Sequence, residues 1–155
     1  MTEKDFVDDQ EFETILKEYL DDDKVKKMKE YSAHGKTSVF SHSMDVARTA
    51  YNLDKKLKTN ADKKVLLVGA LLHDFYLYDW HDARLNANIF QMHGFTHPEA
   101  ARKNAERIFN VDEDIQNVIK SHMWPLTLRS YPKSKEAAIV CLADKLVATR
   151  ETLRR

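Results

Sequence analysis

Residues 65–72 are apolar without a break and run directly into His73-Asp74. A helix with no polar face has no side to give to water. This run therefore lies inside the fold, and the rest of the chain packs around it. Its end carries an imidazole and a carboxylate to the interior or its edge. A buried carboxylate without a partner is costly, and two outcomes avoid that cost. Either Asp74 turns out to water at the helix end, or it meets a cation. Neutral imidazole beside carboxylate suits a borderline metal ion.

The rest of the chain reads as helices. Three glycines and three prolines in 155 residues are too little punctuation for a strand-and-turn architecture, so an all-α fold is expected. Phe12, Ile15, Leu16 and Tyr19 recur at helical spacing over residues 9–20, after a cap at Asp8 or Asp9. Asp21-Asp22-Asp23 ends that helix, and Val25, Met28 and Tyr31 mark a short second one. A loop around Gly35 leads into a helix over residues 37–58. There His42, Val46, Thr49, Ala50 and Leu53 form one stripe, which places His42 on the buried face. A turn at 59–62 caps the apolar helix, read as 62–75.

Residues 76–95 are aromatic and lack a clean period, so they read as a long connection that walls a pocket. Trp80 or Tyr76 would offer a face to a base there, unless these rings only pack the loop down. Thr96 and Glu99 have capping-box spacing with Pro98 in the first turn, so a helix is expected to start there and project His97 from its N-terminus. His93 and His97 are four apart, but Gly94 and Pro98 argue against one continuous helix carrying both. Asp112 caps a helix over 113–123, with His122 in the stripe of Ile115, Val118 and Ile119. Ser134 caps the last helix, where Asp144 shares a face with Ala137, Val140, Cys141 and Ala148.

Lys plus Arg and Asp plus Glu are both 25, so no bulk field favours nucleic acid or a membrane surface. The single cysteine, Cys141, allows no internal disulfide and fits a reducing cytoplasm. No apolar run reaches the length of a membrane span, and the acidic start is unlike a signal peptide. No phosphate-binding glycine loop, nucleophile elbow, His-Glu-x-x-His or Cys-x-x-Cys is present. A homodimer is left open.

Five helices or helix ends thus bring His or Asp inward: His42, His73 with Asp74, His97, His122 and Asp144. Inward ligands from facing helices are how metal sites in helical bundles are built. His42-Ser43 with Val46-Ala47, then Leu71-Leu72-His73-Asp74, then Leu142-Ala143-Asp144-Lys145 resemble, in order, the HD-domain metal-dependent phosphohydrolases over about residues 38–150. The resemblance implies a compact bundle of about six or seven helices spanning residues 1–155. In it, 1–31 are packing helices and 37–150 the metal-binding core. It also implies a divalent metal held by His42, His73, Asp74 and Asp144. Some members that resemble this chain carry two further histidines and bind two ions. His97 and His122 match these positions, with His93 as the competing register, and Asp74 would bridge the ions.

The implied activity is hydrolysis of a nucleotide or other small phosphoester by metal-activated water, some small members cleaving dinucleoside polyphosphates. Asp74 and Lys145 carry the catalytic expectation, while His93, Arg84, Lys36 and Trp80 are weaker substrate-binding candidates. Arg48 is a further cation that could neutralise phosphate. His-rich ligation favours Fe, Mn, Zn, Co or Ni over Mg. Two other classes compete: a non-catalytic HD-type module binding metal or nucleotide, and a helical structural domain with unrelated polar core residues.

Overall fold

The computed structural model describes residues 3–33, 36–77 and 87–154, with the side chains of 3–8 and 87–95 outside that description. Seven α-helices and no strand occur among the described residues, as the all-α reading expects. They are α1 (Glu3–Leu20), α2 (Asp23–Lys26), α3 (Val39–Leu57), α4 (Lys63–Leu72), α5 (Ala87–Phe109), α6 (Glu113–Ser121) and α7 (Lys135–Leu153). A 3-10 turn, Lys27–Glu30, follows α2. Among the described residues no helix is long and apolar enough to cross a membrane.

Helix α4 is the apolar run, and every residue from Val65 to Leu72 is buried. It touches α1, α3, α5, α6 and α7, so the bundle is wrapped around it. Leu66, Leu67, Leu71 and Leu72 are fully buried, each contributing about 1.5–3 kcal/mol relative to exposure. The starts of the surrounding helices are set locally. Ser38, Asp62, Asp112 and Ser134 each accept a backbone N–H three residues on, at 3.0–3.1 Å, which satisfies an orphan donor of the first turn. The α3–α4 turn is pinned by buried Asp54. Its carboxylate accepts from the Thr59 hydroxyl, from Ala61 N–H at 2.9 Å and from Lys63 Nζ at 2.6 Å.

Gly69 is where α4 and α6 come closest. A Cβ there would lie 2.5 Å from Val118 Cγ1 and 2.8 Å from Val118 Cβ. Val118 is β-branched and stiff, so it cannot swing aside. Gly69→Ala gains roughly 1 kcal/mol of helix propensity, but overpacking costs about 1–3 kcal/mol. With a Cβ-to-Cβ contact to relieve, the upper part of that range applies, and urea denaturation is expected to show a net loss of stability.

Helix α5 departs from the sequence reading. It starts at Ala87 rather than near Thr96, so Pro98 lies inside it and residues 93 and 97 belong to one continuous helix. Pro98 removes one backbone hydrogen bond and disfavours a helix interior by roughly 3 kcal/mol. Burial of His97, Pro98, Ala101 and Ala105 supplies the opposing term, since packing rather than propensity holds most protein helices. Glu99, read as a capping partner, instead pairs with Arg102 one turn on, Oε1 to Nη2 at 2.5 Å.

Candidate metal centre

Helices α3, α4 and α7 bring the first group together. His42 comes from the buried stripe of α3, His73 is the C-terminal cap of α4 with Asp74 next to it, and Asp144 comes from the inner face of α7. His42 Nε2 lies 2.9 Å from Asp144 Oδ1 and 3.6 Å from Asp74 Oδ2. His73 Nε2 lies 3.3 Å from each of the same two oxygens. The four residues offer ligand atoms all within 4.8 Å of one another. A second group meets the other oxygen of Asp74. His97 Nε2 and His122 Nε2 stand 3.2 and 3.3 Å from Oδ1 and 2.9 Å from each other.

The far sides of the rings decide what the near sides can do. His73 Nδ1–H donates to Ala70 O at 2.6 Å and His122 Nδ1–H donates to Ile119 O at 2.7 Å. His42 Nδ1 faces both carboxylate oxygens of Glu151, at 3.1 and 3.0 Å. With the proton on Nδ1, each neutral ring turns an Nε2 lone pair toward carboxylate oxygens that are also acceptors. Asp74 Oδ1 is buried and, despite its two close nitrogens, receives no hydrogen bond of good geometry. Converging acceptors need positive charge between them, as protons or as a cation.

Without a metal, protons fill that need. Burial works against a charged His42, but the carboxylates of Asp144 and Glu151 outweigh it and hold its pKa up at about 9. Burial likewise opposes charge on His73, and the charges of Asp74 and Asp144 raise it well above the usual imidazole range. Burial disfavours the Asp74 carboxylate, yet His73, His122 and His97 keep it well below the usual carboxylate range. Asp144 is depressed in the same way by His42 and His73 against burial. His122 goes the other way, since burial lowers its pKa and leaves it neutral and ready to ligate. A divalent ion would replace these protons, because imidazole ligates only when deprotonated. The donor set of nitrogens and carboxylates therefore fits a divalent metal, as such His/Asp clusters can in HD domains.

The other expected residues fall in several places. Lys145 lies beside Asp144, with Nζ 3.1 Å from the His122 carbonyl and 3.1 Å from Cys141 Sγ. Lys36 is exposed in the loop before α3. Arg48 is committed elsewhere, 2.9 Å from Asp9 and stacked 3.9 Å from the Phe12 ring centre. His97 is buried within α5 instead of standing at an open helix start. Tyr76 is buried too, its ring edge-on to His97 at 5.8 Å, so its surface is used in packing. Trp80, Arg84 and the side chain of His93 lie outside the described residues.

Two features were missed in the sequence. One is Glu151, whose only signal was its place two turns beyond Asp144 on the same face of α7. The other is a cleft of about 540 Å³ walled by Met123, Pro125, Leu126 and Ala148, with Asp144 and Lys145 at its edge. A larger hollow of about 750 Å³ between α1 and α3 includes Phe12, Lys17, Met44 and Arg48 but none of the clustered His or Asp residues. The smaller cleft is the one that adjoins the chemistry.

Five helices thus focus imidazoles and carboxylates on one buried cluster of the kind that can hold a metal ion in a helical bundle. The HD-domain family model matches residues 39–149, and the chain belongs to that family. HD domains are typically metal-dependent phosphohydrolases. The matched stretch takes in His42, His73, Asp74, His97, His122 and Asp144 and stops short of Glu151. Comparison with curated proteins and with solved structures found no match.

Proposed function

We propose that this chain is a metal-dependent phosphohydrolase acting on a nucleotide or other small phosphoester at a paired metal site. One observation carries the reading: the two oxygens of Asp74 face two separate ligand groups. His42, His73, Asp74 and Asp144 would hold one ion, and Asp74, His97 and His122 the other. Nitrogen-rich ligation favours a transition metal over Mg²⁺. When bound, such ions lower the pKa of a coordinated water toward neutrality and offset charge on phosphoryl oxygens.

The chain's own residues do the rest. Asp74 orients both halves of the site through one carboxylate. Lys145 Nζ, held at the cleft edge by two uncharged acceptors, is a cation available to a phosphoryl oxygen. The apolar walls of the cleft, which adjoin Asp144 and Lys145, receive the organic part of the ester.

The test is turnover of a phosphoester panel by metal-stripped protein reloaded with Mn²⁺, Fe²⁺, Co²⁺ or Mg²⁺. Nucleotides and aryl phosphates are expected to be cleaved with a transition metal, faster than glycerol phosphate. Leu126→Glu should raise KM for the aryl and nucleotide esters by about tenfold while sparing glycerol phosphate. Full metal loading with no turnover across the panel would instead favour the non-catalytic regulatory module.

A further inference from the structure

We infer that Glu151 is a positioning residue of the metal centre, accepting the Nδ1 proton of His42 and so fixing the ring that presents Nε2 to an ion. The inference rests on the metal-binding reading of the cluster. His42 is held at both nitrogens by α7, with Asp144 Oδ1 2.9 Å from Nε2 and both Glu151 oxygens within 3.1 Å of Nδ1. The Glu151 side chain is 6% exposed although it stands near the end of a helix. Burying a carboxylate there is costly unless it is paired.

The contrast within the site gives this pairing its meaning. His73 and His122 donate Nδ1–H to neutral carbonyls three residues earlier in their own chain segment. His42 alone of these three has a carboxylate as its partner, and that carboxylate comes from another helix. A charged acceptor raises the ligand basicity of the ring more than a carbonyl does. Glu151 thus strengthens the ion on the His42 side and leaves the His97–His122 side untouched. It lies just beyond the stretch that the HD family model matches.

The competing role is a plain tie between α3 and α7, of the kind that Arg150 Nη2 makes with Thr49 Oγ1 at 3.4 Å. Titration of stripped protein with Co²⁺, followed by its visible spectrum and by melting with and without metal, separates the two. Glu151→Ala is expected to weaken one of two binding phases by about 100-fold and Glu151→Gln, which keeps a neutral acceptor, by about 10-fold. The spectrum of that phase should change and the other phase should stay. Unchanged affinity and spectrum, with melting lowered equally in stripped and loaded protein, would overturn the inference and leave only the tie. If Glu151→Ala does not fold, Glu151→Gln decides alone, and parental affinity overturns it. A parent that takes up no Co²⁺ overturns the metal reading and this inference together. A parent that binds Co²⁺ as tightly as its variants overturns this inference only.

Discussion

Asp74→Ala is expected to abolish metal uptake and phosphatase activity while leaving the helix content near that of the parent. Asp74 is the one residue common to both ligand groups, so its loss leaves three ligands on one side and two on the other. Loss of an outer-shell partner alone typically costs 10–100-fold in metal affinity, and a shared ligand should cost about 100-fold or more. The fold should survive for a separate reason. Asp74 fills no apolar space, and α4, whose burial organises the bundle, ends before it at Leu72. Removing one member of a buried ion pair usually destabilises strongly because a charge is stranded. Here His73 can release its proton, and Asp144 remains 3.3 Å away. Metal analysis, turnover and far-ultraviolet circular dichroism on one preparation check all three parts. Metal retained with full activity would remove Asp74 from the centre.

The parts of this site that were legible in the sequence are those fixed by local rules. Ser134, Asp112 and Asp62 stand at helix starts, where a side-chain oxygen can meet a free N–H, and each does so. Helical spacing put His42, His122 and Asp144 among apolar neighbours, which fixes their faces once the helices pack. The failures lie where a distant contact outweighs a local signal. Thr96-His97-Pro98-Glu99 carries good helix-start chemistry, yet the burial of Ala101 and Ala105 carries α5 through it. Arg48 looked free to meet phosphate because its partner Asp9 sits on another helix. Glu151 sits among Arg150, Thr152 and Arg154, a context that reads as solvated helix end. Only the approach of α3 to α7 reveals that it is held by His42.

The last expectation is the number of ions. Metal-stripped parent should bind two equivalents and the His97→Ala/His122→Ala double variant one. The Nε2 atoms of His97 and His122 are 2.9 Å apart, both buried, and both close to Asp74 Oδ1. Two lone pairs do not face each other at that distance without a cation or a proton between them. Burial lowers the pKa of His122, which makes a proton the less favourable choice there. Paired hydrolytic ions typically lie about 3.5–4 Å apart, a spacing that a carboxylate shared through its two oxygens can span. The two ions should also differ in pH response. On the other side His42, with its pKa at about 9, must give up a proton before it can ligate. Below that pH, apparent affinity on the His42 side should fall by about tenfold per unit for each proton displaced. The side held by His122 should fall less, so the ratio of the two affinities should shift toward the His97–His122 side between pH 8 and pH 6. Circular dichroism of the double variant controls for unfolding, because His122 also ties its ring to Ile119. Equal stoichiometry in parent and variant would defeat the paired site and return His97 and His122 to contact with the substrate.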